Sequence, residues 1–487
     1  MKSILPIFLL TLLSINLLFS GCSQEDEFAK NPLESLSFSS DTLSFDTVLT
    51  TVGSPTVWMT IRNDGTKPIR ISGVSLKSGG STGFRINLDG VSGNTFTNVE
   101  IPSKDSLFLF VELTASEQGI NQPFMLNDAI IFQSEGKQKE IVLEAFSQDV
   151  VIWRGKNIQS DTILTADKPF LIYDSLVVAK DVTLTIGEGA TFYMHNKANV
   201  IVHGTVKAIG KQMAPITFRG DRLDEIWTDL PYDLNPGQWG TIRLTASSFN
   251  NEFDFVHIRG GVSGVLADSS ATDQMKLKMS NSIVHNMTEY GIWSCNNKMS
   301  IANSQITNSV FTTVSLNGGT YDFTHCTLAN YQMLPLNGNG RSGYTLSLSN
   351  YKPDLNKTPL PLQVDFFNCI VFGSFSNEID TLKTDQASWK LQFTNCLLRS
   401  REWTADMATE CLYSQKPQFV KTGLFMNDVS GEEERDYIYD FRPDSISDAR
   451  SAANPIYSGG YPLDLNGISR LSDGFPDIGA YEWVQTK

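Results

Sequence analysis

The chain repeats a four-residue phrase: Asn281-Ser282-Ile283-Val284, Asn303-Ser304-Gln305-Ile306, His325-Cys326-Thr327-Leu328, Asn368-Cys369-Ile370-Val371 and Asn395-Cys396-Leu397-Leu398, with Phe255-Val256-His257-Ile258 fitting one step earlier. Successive phrases stand 26, 22, 22, 43 and 27 residues apart. A unit near 22 residues is the length of one coil of a parallel β-helix, and the step of 43 reads as two coils. One coil cannot bury its own interior, whereas stacked coils share a continuous core. Asparagine at the same turn of each coil then predicts a structural ladder, Asn281, Asn303, Asn368 and Asn395, each hydrogen-bonded to the coils above and below. The next position, Ser282, Ser304, Cys326, Cys369 and Cys396, reads as an inward stack of small residues, with Cys411 outside that register.

Working toward the N-terminus, short strands punctuated by glycine continue the pattern: Val182-Thr183-Leu184-Thr185-Ile186, Val200-Ile201-Val202-His203-Gly204 and Ala214-Pro215-Ile216-Thr217-Phe218. From about residue 165 onward the chain resembles right-handed parallel β-helix proteins of the pectin-lyase-like class. Its ending, Pro462-Leu463-Asp464-Leu465-Asn466-Gly467-Ile468-Ser469-Arg470 and Asp477-Ile478-Gly479-Ala480-Tyr481-Glu482, resembles the closing segment of many exported bacterial β-helix proteins. The resemblance implies a β-helix domain over residues 151–487 with a C-terminal cap, in which Arg470 bridges Asp464, Asp477 and turn carbonyls to close the last coil. It implies no single activity, because the same solenoid hosts lyases, hydrolases, adhesins and scaffolds.

Residues 36–150 obey a different rule. Thr56-Val57-Trp58-Met59-Thr60-Ile61-Arg62 alternates apolar and polar positions, Asn63-Asp64-Gly65 supplies a turn, and Pro68-Ile69-Arg70-Ile71 starts the next strand. Period-two alternation with short turns predicts an antiparallel β-sandwich, so the fold class is all-β throughout. The run from Val57 to Ile71, with Ile101-Pro102 and the final Ile141 to Ala145, is similar to bacterial immunoglobulin-like domains of the abnormal-spindle/hydin type, which implies a spacer or interaction module without catalytic residues.

Before the sandwich, Lys2 precedes an apolar run from Ile4 to Phe19 that is too short to span a bilayer comfortably, and small residues end it. Residues 1–21 therefore read as a signal peptide. Ser20-Gly21-Cys22 resembles the lipobox of bacterial lipoproteins, which implies lipidation of Cys22, a tether over residues 22–35 and membrane attachment through lipid. The acidic Glu25-Asp26-Glu27 flank resembles a surface-export signal, so the expected location is the outer membrane, facing the exterior.

A net charge of -15 argues against nucleic acid, whose phosphates need a basic surface. It also argues against polyanionic sugars as easy ligands unless a local basic patch or bound calcium intervenes. No cysteine or histidine spacing suits zinc. No cofactor is expected. A calcium site at Asp464-Leu465-Asn466-Gly467 is a minor alternative, because its spacing is not that of an EF-hand. The insert from Asp221 to Gln238 places Trp227 and Tyr232 beside Asp224, Asp229 and Asp233, a mixture that suits sugar rings through stacking and hydroxyl hydrogen bonds, or that simply covers the solenoid flank. Further inserts run from Tyr331 to Leu362 and from Arg399 to Phe441. Recurrent Asp-Ser/Thr-aliphatic triplets such as Asp41-Thr42-Leu43 resemble O-glycosylation acceptors of some gut bacteria. The leading expectation is non-catalytic binding of a glycan or of an outer-membrane protein partner. The alternatives are a polysaccharide lyase or glycoside hydrolase, for which no catalytic residues are identified, and a structural part of an envelope assembly.

Overall fold

The computed structural model describes residues 27–487 except 228–229, 333–340, 414, 424, 428–433, 437–438 and 486–487. The leader and Cys22 lie outside the described residues. Two compact units are present, one built from the chain up to Gln118 with Pro123–Gln148, the other from Gly119–Gln122 with Asp149 onward.

In the first unit, strict alternation makes each strand two-faced. Met59 and Ile61 turn inward from Val57–Asn63, and Leu109, Val111 and Leu113 from Ser106–Leu113, all at most 1% exposed. Two five-stranded sheets result. Pairing is antiparallel except where Lys137–Gln148 runs parallel to Thr42–Leu49. Phe45 against Phe84 (5.5 Å) and Phe38 against Phe132 (4.8 Å) join the sheets across a shared core.

The second unit is a parallel β-helix whose strands form one 25-stranded sheet wound into three stacks. Along the first stack the inward positions pair directly: Phe170, Phe192, Phe218, Ile258, Val284, Ile306, Leu328, Val371 and Leu398. The second stack aligns Leu176, Val200, Ile242, Val265, Ile292 and Val314. The third aligns Phe253, Met279, Ile301, Phe323, Phe366 and Phe393, with phenylalanine rings 4.8 and 4.9 Å apart at its end. Burying each such side chain contributes about 1.5–3 kcal/mol. Leu328 pairs directly with Val371, so the step of 43 is one coil enlarged by an insert, not two coils.

The repeated phrase marks the corner between the third and first stacks. Phe255, Asn281, Asn303, His325, Asn368 and Asn395 all adopt left-handed backbone, with φ between 48 and 52°. Asparagine tolerates that conformation because its short polar side chain bonds locally, and this explains its recurrence better than stacking does. The side chains form two short runs and not one ladder. Asn303 Nδ2 donates to Asn281 Oδ1 (2.6 Å), and Asn281 to Asp254 (2.7 Å). Separately, Asn368 meets His325 Nε2 (3.0 Å). Asn395 turns to Glu410 (2.9 Å).

The longer hydrogen-bonded row is the residue that follows. The N–H groups of Val256 and Ser282 donate to Ser282 Oγ (3.0 Å) and Ser304 Oγ (3.1 Å) in the next coil, and those of Cys326 and Cys369 to the sulfurs of Cys369 and Cys396 (3.4 Å each). Each of these hydroxyls and thiols donates in turn to the carbonyl two residues before it. Cys411 belongs to this row. Thr394 pairs with Thr409 and Leu397 with Leu412, which sets Cys396 beside Cys411, and the Cys411 thiol donates to Thr409 O. Its sequence position concealed this because Glu410 replaces asparagine at the left-handed corner.

The terminal segment does not close only the last coil. It lies lengthwise over the outside of the first stack. Ala449, Ala453 and Ile478 pack on Ile370, Phe372 and Leu397, and Phe441, Leu465, Ala480 and Tyr481 on Ala329. Tyr481 Oη donates to Gln305 Oε1 (2.6 Å) and Ala480 N to Thr327 Oγ1 (3.0 Å). Arg470, fully buried, donates to Glu482 (2.6 Å) and to Asn303 Oδ1 (2.5 Å), not to Asp464 and Asp477. Those two aspartates accept backbone N–H groups, Asp464 from Asn466, Ile468 and Glu482, and Asp477 from Ser451 and Trp483. Asp464 is thus spent on a turn, which accounts for its position without calcium. Among the described residues no cluster of three or more His, Cys, Asp or Glu side chains is arranged to hold a metal.

Candidate functional site

The insert between the strand Ile216–Gly220 and Trp239 is a small hairpin, Glu225–Trp227 against Leu230–Pro231, followed by a 3-10 turn at Tyr232–Leu234. Gln238 pins its end, donating to Tyr232 O (2.5 Å) and Asn235 O (2.8 Å), in space left open by Gly220 and Gly260. Of the five residues singled out in the sequence, Asp224 and Tyr232 share Arg222, whereas Asp233 turns elsewhere. Asp229 lies outside the described residues. Trp227 is the last residue of its short strand. Asp224 binds Arg222 (2.6 Å), whose guanidinium covers the Tyr232 ring at 4.2 Å. Asp233 points the other way, back to the solenoid face.

There it meets the outward side chains of the first stack. Phe218 and Ile258 are paired inward, so Arg219 and Arg259 stand side by side outward, one coil apart. Their proximity would be repulsive alone. Asp233 sits between them at 3.2 Å from Arg219 and 2.8 Å from Arg259. Tyr193 precedes the arginines in the same outward line and His285 follows them. His257 flanks Arg259 two residues earlier on its strand. At the adjoining corner His195 Nδ1 lies 2.5 Å from Asp221, its ring on Tyr173 (4.4 Å), whose other partner is Arg154 (3.7 Å).

Burial sets the protonation of this patch. His257 is pushed down to about 4 by desolvation and then by the Arg259 charge, and His285 to about 3 by the same desolvation with Arg259 and His257. Both imidazoles are therefore neutral at pH 7. Burial raises the Tyr193 hydroxyl above its ordinary range. The local charge of the arginine pair with Asp233 is then about +1, on a chain whose net charge is -15. Asp233 Oδ1 faces Arg219 Nε and Asp233 Oδ2 faces Arg259 Nε, so these buried atoms are spent on each other. Gln238 Oε1 is buried without a hydrogen-bond partner among the described residues, the kind of group that a polar ligand or ordered water satisfies.

Tyr193, Arg219, His257, Arg259 and His285 were not legible as a group. They come from four separated strands and carry no local motif. The available signal was register: once Phe218 and Ile258 are aligned inward, the arginines must be neighbours.

No family model matches the chain, and no curated protein matches it. Solved structures resemble parts of it. A family 123 glycoside hydrolase from Clostridium perfringens matches with a TM-score of 0.17 and 8% identity, over 24% of this chain and 30% of that one. A protein of unknown function from Porphyromonas gingivalis W83 matches at 0.17 and 12% identity, over 26% and 60%. The catalytic unit of a GH87 alpha-1,3-glucanase from Streptomyces thermodiastaticus strain HF3-3 matches at 0.23 and 9% identity, over 73% and 88%. The chain thus spans less than two thirds of the first two neighbours. Likenesses of this extent carry no residue role and no activity across.

Proposed function

We propose that the chain is a lipid-anchored outer-membrane protein that binds a glycan without cleaving it, at the patch of Tyr193, Arg219, His257, Arg259 and His285 beside the 221–238 insert. The observation that supports this reading is the half-buried arginine pair, which keeps a net positive charge around Asp233 and is flanked by two neutral imidazoles and a phenol. That set offers donors and acceptors to sugar hydroxyls, and the guanidinium edges suit an acidic substituent. This is the local basic patch that the chain's overall charge otherwise lacks.

A hydrolase or lyase site is less well supported. A hydrolase needs two carboxyl groups disposed across the scissile bond, and here Asp233 is engaged by two arginines and Asp221 by His195. A lyase needs an arginine or lysine base, and here Arg219 and Arg259 are both engaged by Asp233, while imidazoles at about 4 and about 3 are poor substitutes. A second reading, a protein partner, is favoured by one observation on the sandwich: Trp58 and Phe108, 58% and 45% exposed, lie with their rings 5.7 Å apart.

Binding is tested on a glycan array with the purified chain and its Arg259→Ala variant. Retention by the wild type and its loss in a folded variant is expected. A folded wild type that retains no glycan ends this reading and leaves the protein-partner reading in front. The anchor is tested separately: Cys22→Ala releases the protein from membranes, since the lipid supplies the membrane affinity. A variant that still fractionates with membranes refutes lipidation as the attachment.

A further inference from the structure

We propose that Cys396 and Cys411 are an oxidisable pair that closes to an intramolecular disulfide, stapling the last paired coil to the one before it. The cysteines Cys326, Cys369, Cys396 and Cys411 occupy one register in successive coils, and all are free thiols. Adjacent coils are about 4.8 Å apart, inside the Cα separation of about 4.4–6.8 Å that a disulfide spans. Register sets Cys396 directly beside Cys411, since Thr394 pairs with Thr409 and Leu397 with Leu412.

Access separates this pair from the others. Cys326, Cys369 and Cys396 are fully buried, whereas Cys411 is half-buried. Any reagent therefore arrives at Cys411 first. The place also gives the bond a use. The strand Ala408–Thr409 ends the 25-stranded sheet and pairs only with Trp389–Thr394 among the described residues, so it is the edge from which the solenoid frays. A covalent tie there restrains the chain between the two sulfurs.

The chemistry is thiol–disulfide exchange with a small disulfide as oxidant. The Cys411 thiolate attacks one sulfur of the disulfide, displacing a thiolate and forming a mixed disulfide. Cys396, as its thiolate, then attacks the Cys411 sulfur and expels the second thiolate. The two protons lost from the cysteines leave with the two expelled thiolates, and the small disulfide is reduced by two electrons.

The test treats the intact folded chain with oxidised glutathione, alkylates the remaining thiols under denaturing conditions and maps the peptides. The expected result is a linked Cys396–Cys411 peptide, loss of two alkylation sites, and a melting temperature that rises and then falls back with dithiothreitol. Cys326→Ser retains that linkage. Cys411→Ser, melting like the reduced wild type, keeps all its thiols. Stable glutathione on Cys411, a Cys369–Cys396 linkage, or full alkylation after treatment each overturns the proposal.

Discussion

The outside of the first stack is one continuous line of side chains with two halves. In the early coils it reads Tyr193, Arg219, Arg259 and His285, mostly half-buried. In the later coils the same line reads Thr307, Ala329 and Phe372, all buried beneath the terminal segment. Backbone and register are shared, so the difference lies in the cover. Where the chain supplies its own apolar strap, the line becomes uncharged and buried. Where it supplies only a hairpin carrying Asp233, the line stays charged. The chemistry of an outward row thus reports whether its partner is part of the same chain.

The largest effect expected from breaking this contrast is in the strap. Arg470→Met leaves Glu482 buried without its cation and removes the link to Asn303, and it should cost about 3–5 kcal/mol in chemical denaturation. A loss below about 1 kcal/mol would mean that the strap is not part of the cooperative fold. Next comes Asn303→Leu. It deletes the acceptor for Arg470 and the donor to Asn281 and Leu463 O, and should cost about 1–3 kcal/mol. An unchanged melting temperature would refute the coupling of corner to strap.

Both halves should lose stability in acid, since burial also lowers His325 beneath the strap, but the strap alone should also lose it in base. In the open half the folded imidazoles titrate at about 4 and about 3, below their ordinary 6.5. As pH falls below about 6.5 the unfolded chain takes up protons that the folded chain refuses, so stability present above 6.5 is lost toward 4. The double variant His257→Asn/His285→Asn should flatten that acid slope. In the strap, burial holds Glu482 up at about 8 and raises Asp464 and Asp477 around the one Arg470. That contribution is full below about 4.5 and lost as pH rises through 8, which hydrogen exchange of the strap amides at pH 6 and pH 9 would show as faster opening at the higher value. The smallest effect is Asp233→Asn. Its ion pairs are part-exposed, and the variant should lose about 1 kcal/mol while strengthening retention of acidic over neutral glycans, read on the same array. Equal retention of both would separate Asp233 from ligand choice.

Much of the fold was legible because a solenoid reuses positions. The spacing of 22 and the alternation of Val57 to Ile61 each follow from one geometric rule. The failures have specific causes. Counting cannot distinguish two coils from one coil with an insert, hence the misread step between His325 and Asn368. Cys411 was lost because the corner residue before it is glutamate. The candidate site was hidden because its outermost members, Tyr193 and His285, stand 92 residues apart along the chain and the group meets only through parallel register. Asp233 looked free because its partners Arg219 and Arg259 stand 14 and 26 residues away, on two strands brought side by side only by register.

The serine–cysteine row has a direction, and that direction bears on how the molecule is made. From Val256 through Cys369, each N–H that donates along the row finds its acceptor in the coil that comes later in the chain. The earlier coil is synthesised first. The corners at Val256, Ser282, Cys326 and Cys369 therefore each hold a donor unsatisfied until the next coil arrives to receive it. Growth is rewarded one coil late, and a nascent chain stopped between coils always presents an unfinished, adhesive end.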